Sequence, residues 1–199
     1  MHFNTRNLIL GLLLLLGCVQ LAAGSWVHIK AVLAQQLLLR AWEGSLATGL
    51  PSKPWPWADT EPIARLQLPR LGVDSIVLRG DHGQSLAFGP GHASASVLPG
   101  EPGTTLISGH RDTHFRFMRD VKIGDSLTLI AATGKSQRYQ ITKTQVVDAE
   151  KTQIQAAAAN QLLLVTCWPF DSVVPGGPLR FMAIAEPIGE IQLAQIAIR

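Results

Sequence analysis

Cys167 ends the apolar run "LLLVTCWPF" (162–170). A free thiol packs like a small hydrophobe, so buried filler is the plain reading of such a cysteine. Nucleophilic chemistry needs more, because only the thiolate attacks a carbonyl carbon well and an ordinary thiol is mostly protonated at neutral pH. A neighbouring imidazole can take that proton and later return it to a leaving amine. His110 in "GHRDTHF" (109–115) is the candidate partner. Arg180, framed by Gly and Pro in "DSVVPGGPLR" (171–180), offers fixed charged donors suited to a developing oxyanion or to the substrate carbonyl beside it. Trp168 keeps its backbone N–H where Pro169 has none, which makes it the candidate backbone donor to that oxyanion. Taken singly, a surface histidine and a solvated strand-end arginine are the default readings.

A metal reading competes for the same histidine. On a helix, His110 and His114 would present both rings on one face, as zinc-protease histidines do. Here the pair follows a strand, lacks a helical start signal, and has no glutamate next to the first histidine. Only Asp148 and Glu150 lie near the segment before "QLLLVTC", too few for a hard-cation cage. No metal and no cofactor is expected.

Short strands must carry these residues. "IARLQLPRLGV" (63–73) alternates apolar and polar residues, and "DSIVLRG" follows a turn at Gly72. "GTTLISGH" (103–110) is a strand opening into a loop. Residues 125–147 read as two strands joined near Thr133-Gly134-Lys135. "AEKTQIQAAAAN" (149–160) suits a short helix or turn, "QLLLVTC" and "RFMAIAEPI" are the last two strands, and the final "EIQLAQIAIR" fits either a strand or a helix. Some eight short strands with little helix predict a mainly β, closed or nearly closed barrel. His110 and Cys167 both fall at strand ends, where side chains can converge on one rim.

Ahead of the barrel, Leu8–Ile29 is almost wholly apolar and long enough to cross a bilayer. Arg6 before it favours a cytoplasmic N-terminus and an extracytoplasmic domain. A cleaved signal peptide ending near "LAAGS" is the alternative; a lipoprotein-type Cys18 is disfavoured by the branched Leu16. "IKAVLAQQLLLRAW" continues as an amphipathic stem. The expected organisation is anchor and stem over 1–48, a Pro-rich linker over 49–61, and a barrel domain over 62–199, with a soluble piece starting at about residue 55.

The chain has 199 residues, a net charge of +3 and no basic cluster interleaved with aromatics, which argues against nucleic acid. Its two cysteines, Cys18 and Cys167, lie in the membrane segment and the domain. They have no route to a shared disulfide, so Cys167 is a free thiol in an oxidising compartment.

Residues 62–187 resemble the sortases, membrane-anchored cysteine transpeptidases with an eight-stranded β-barrel. "LLLVTC" is similar to their TLxTC motif, with Leu163 where the family has Thr; "LISGHRDTHF" resembles the histidine segment of class C to E sortases, "FGPGHASASVLPGEPGTT" the loop before it, and "PGGPLRFMAIAEP" the arginine strand. The resemblance implies that Cys167 forms a thioester with an LPxTG-like C-terminal sorting signal, that His110 is acid and base, and that Arg180 steadies substrate or oxyanion. An amine acceptor then resolves the thioester, or water hydrolyses it. Arg111, Asp112, Thr166 and His92 match family positions too, with loop-holding as the competing role for His92 and Asp112. "TCWPFDSVVPGGPLR" resembles the dedicated sortases of Gram-negative bacteria, which implies a periplasmic domain on a single-pass inner-membrane helix. The rival reading is a non-catalytic, membrane-tethered β-barrel that binds a peptide.

Overall fold

The computed structural model describes residues 5–152, 160–173 and 176–193. They fall into two compact units, 1–36 and 37–199. Helix α1 (Thr5–Thr48) contributes to both. Within it lies a segment long and apolar enough to cross a membrane, a property that an anchor and a signal sequence share. Leu8 to Leu16 are exposed.

The second unit holds β1 (Pro62–Leu68), β2 (Val73–Arg79), α2 (Gly83–Phe88), β3 (Gly91–His92), β4 (Thr104–Ser108), β5 (Ser126–Ala131), β6 (Lys135–Asp148), β7 (Gln161–Cys167) and β8 (Leu179–Leu193). The strands close into a barrel in the order β1-β2-β3-β4-β7-β8-β6-β5. This is the expected mainly β, closed eight-stranded architecture. Most pairings are antiparallel; β2–β3 and β4–β7 are parallel.

Alternation decides what faces inward. Ala64, Leu66 and Leu68 of β1 are fully buried, while the intervening Arg65 forms a two-pronged ion pair with Asp74 on β2, both N···O distances 2.6 Å. The same period places Ile107, Leu162, Leu164, Ala183 and Ala185 in the core. Phe115 and Met118, from the segment that starts at His110, are completely buried in the same core. Each such side chain contributes about 1.5–3 kcal/mol by leaving water, so the histidine segment is held down by its own core residues.

The last turns of α1 belong to this unit. Leu38 and Trp42 are about 1% exposed and pack on Ile76 and Leu78 of β2, with Phe88 of α2 at the edge. Trp55 meets the Phe88 ring edge-on, centroids 5.2 Å apart.

Two elements carried no periodic signal: β3 has two residues and α2 has six. The "AEKTQIQAAAAN" segment lies largely outside the described residues, which omit 153–159. Of the final segment, residues up to Leu193 continue β8 and the rest lie outside them.

Candidate active site

The register of three neighbouring strands assembles the site. Parallel pairing of β4 with β7 ends at Ser108 opposite Val165, so the next two residues of each strand, Gly109–His110 and Thr166–Cys167, continue side by side. Two bonds fix that junction: the Gly109 N–H donates to Val165 O at 3.2 Å, and the Thr166 hydroxyl donates to Gly109 O at 2.7 Å. On the other side, antiparallel β7–β8 pairs Cys167 directly with Arg180. The register therefore sets Arg180 opposite Cys167, on strands about 4.8 Å apart, with His110 just past the end of β4, two residues beyond its last pairing with β7.

Leu162, Leu164 and Thr166 point into the core, so Cys167 points outward, and it is half-buried. His110 is exposed; its carbonyl accepts the N–H groups of Thr113 and Phe115, which turns the chain back into the barrel. A Cβ on Gly109 would come within 2.6 Å of the Phe115 ring, so only glycine fits between the histidine and the core plug. Arg180 is half-buried, and its Nη1 donates to Gly177 O at 2.7 Å and to Leu179 O at 2.9 Å. Its guanidinium is thus anchored to the loop that precedes β8.

Arg111 emerges as a clamp that the motif alone did not reveal. It is 8% exposed. Its Nε and Nη2 grip the Asp112 carboxylate at 3.0 Å each, its Nη1 donates to Pro169 O at 2.6 Å, and its Nη2 donates to Ser172 O at 2.8 Å. The histidine segment is thereby tied to the loop that follows Cys167. The hydrogen-bonded Asp112 raises the Arg111 pKa, with Cys167 and Asp171 adding to it at longer range. In return Arg111 holds the Asp112 carboxyl below its ordinary value, helped by Arg119 and His110. The one signal in the sequence was an arginine directly after the histidine with an acid next to it.

His114 turns away from a shared metal site. It is half-buried and bonds the Ala87 backbone in α2; burial pushes its pKa down, and the charge of His110 pushes it the same way. Among the described residues no group of three or more His, Cys, Asp and Glu is placed to hold a metal ion. His92 is buried, with Nε2 2.8 Å from Val97 O and 3.1 Å from Ser96 Oγ, and burial lowers its pKa also. The Ser96 hydroxyl in turn accepts the Leu106 N–H at 3.0 Å, so His92 holds the β3–β4 loop onto β4.

One expectation is overturned. The Trp168 N–H donates to Leu179 O at 3.1 Å, continuing the β7–β8 ladder, and so does not serve an oxyanion. The Trp168 ring instead joins Phe170 and Phe181 in a cluster, with centroids 5.1–5.9 Å apart, that supports the loop behind Cys167.

A thiol and a guanidinium opposite each other on paired strands, with an imidazole just past the end of the neighbouring strand, define a site suited to acyl transfer through sulfur. Residues 66–188 match the family model of the Sortase domain. Sortase D of Bacillus subtilis (strain 168) is 35% identical over 119 residues, covering 59% of each protein. Among solved structures, sortase A from Corynebacterium diphtheriae is 25% identical, with a TM-score of 0.58 over 67% of this chain and 64% of that one. The Clostridium perfringens Sortase D5 transpeptidase shares the fold, with a TM-score of 0.64 and 20% identity over 79% of this chain and 99% of that one. The chain belongs to the sortase family.

Proposed function

We propose that this protein is a cysteine transpeptidase that cleaves an LPxTG-like C-terminal sorting signal and joins the acyl fragment to an amine. The reading is supported above all by the register that sets Arg180 of β8 opposite Cys167 of β7, with His110 in the loop that leaves the neighbouring β4, in a chain of this family.

In the first half-reaction the Cys167 thiolate adds to the scissile carbonyl carbon. The C–N bond then breaks, and His110 as imidazolium gives its proton to the leaving amine. In the second, the acceptor amine adds to the thioester, His110 takes a proton from it, and the sulfur leaves as thiolate. Arg180 faces the carbonyl whose oxygen carries negative charge in both steps. Water in place of the amine gives hydrolysis. The substrate is a protein with the sorting signal, and the acceptor is an amine. The apolar helix tethers the enzyme to the inner membrane, with the catalytic domain on the extracytoplasmic side, the periplasm of a Gram-negative cell.

The test is Cys167→Ala in the full chain, with cleavage of a fluorogenic peptide bearing an LPxTG signal as the readout. Turnover is expected to vanish while circular dichroism stays that of the parent. Cleavage by the variant at the parent rate refutes the assignment, and peptide binding by the parent without any thioester favours a binding module.

A further inference from the structure

Among the described residues, the Oγ of Ser108 is the one buried side-chain polar atom without a hydrogen bond. Leaving such a group unpaired is costly, which is why buried hydroxyls nearly always have partners. Its place in the fold is specific. Ile107 faces the core, so Ser108 faces outward, as do Leu106 before it and His110 two residues later. Across the parallel pairing, Ser108 stands opposite Val165 and Leu106 opposite Leu163, on the face that leads to Cys167. Ser108 is thus a lone hydrogen-bonding group in an apolar row.

The spacing fits an extended peptide. Two residues along a strand advance about 6.6–7 Å, and an extended peptide laid over β4 and β7 advances at the same rate. For a peptide that runs parallel to β4 and β7 with its scissile carbonyl at Cys167, the main chain two residues upstream lies at the level of Ser108. The residue itself is partly exposed while its Oγ is covered, and its single side-chain torsion leaves the hydroxyl staggered alternatives to that covered position.

We propose that Ser108 is a substrate-positioning residue: its O–H donates to a main-chain carbonyl of the acyl-donor peptide, two residues before the bond that is cleaved. The peptide completes a hydrogen bond that the free protein leaves open. This rests on the transpeptidase reading above.

The test uses the full chain in detergent and a fluorogenic peptide bearing an LPxTG signal. Ser108→Ala is expected to lower kcat/KM about three- to tenfold, the value of one neutral hydrogen bond, chiefly through KM. Its Tm is expected to equal or exceed that of the parent, because an unsatisfied buried hydroxyl is removed. The rate at which iodoacetamide alkylates Cys167 should not change, and Ser108→Thr, which keeps the hydroxyl, should retain parent turnover. A kcat/KM for Ser108→Ala equal to that of the parent overturns the proposal. So does a fall in Tm accompanied by altered alkylation, since that marks a structural role. A parent that fails to cleave the peptide overturns the underlying function, and the proposal with it, before any variant is compared.

Discussion

The stem helix is part of the barrel unit, and its removal should cost that unit its stability. Trp42 and Leu38 are each about 1% exposed and cover Ile76 and Leu78, which are 7% and 0% exposed. Truncating a buried tryptophan to alanine costs about 3–5 kcal/mol, against a total of about 5–15 kcal/mol for a typical domain. For a domain of this size each kcal/mol moves Tm by about 2–4 °C, so Trp42→Ala should melt about 6–20 °C below the parent. The assay is near-ultraviolet circular dichroism of the full chain in detergent, which follows packing in the barrel rather than the N-terminal apolar helix. A piece beginning at Leu37 should keep the barrel's Tm, whereas one beginning at Trp55 exposes Ile76 and Leu78 and should melt far lower or fail to fold. The loss should reach the site as well. Phe88 sits on the same cluster, and its neighbour Ala87 carries the backbone bond to His114 in the histidine segment. A Trp42→Ala protein melting within about 2 °C of the parent, less than one kcal/mol on this scale, would show that the stem does not stabilise the barrel.

Arg111→Met should leave the barrel folded but release the loop after Cys167, lowering peptide turnover at least tenfold in a steady-state assay; Arg111→Lys should not restore it, because an ammonium cannot reproduce the planar fork. His92 and His114 both have pKa values pushed below the ordinary 6.5 by burial, so the unfolded chain binds more protons and stability is lost as pH falls below that value. Tm should therefore drop between about pH 7 and 5, and the drop should flatten in His92→Gln and His114→Gln, as a melting series across that range will show. Asp125→Asn should lower Tm, because its carboxylate, 7% exposed and held below its ordinary pKa by Arg70, also accepts the Lys122 N–H at 2.8 Å.

Much of the barrel was legible because its strands alternate. Leu66 and Leu68 against Arg65 and Gln67, or Leu162 and Leu164 before Cys167, announce both the strand and its inner face. Pairing was not legible: nothing in "TTLIS" or "QLLLVTC" says that they run parallel and adjacent, a partnership set by long-range packing. The two-residue β3 and the six-residue α2, whose N-cap His82 makes no side-chain cap bond, are too short and too weakly signalled for periodicity to find. The stem's helical spacing was visible at Leu38 and Trp42, but its partner on β2 was not. At the site, residue chemistry pointed to Cys167, His110 and Arg180, and the register sets Arg180 opposite Cys167, with His110 two residues past the last β4–β7 pair. The clamp of Arg111 on Pro169 and Ser172 joins segments some sixty residues apart, which no local pattern encodes. The ladder bond of the Trp168 N–H to Leu179 depends on where β8 begins, which no local pattern marks.

The most direct measurement of the central claim is the intact mass of the full chain after brief incubation with an LPxTG-bearing peptide and no added amine, quenched in acid. The expected result is an adduct equal in mass to the acyl fragment, located at Cys167, removed by hydroxylamine and missing in Cys167→Ala. Peptide consumed with no adduct at that cysteine, or an adduct that survives hydroxylamine, would contradict it.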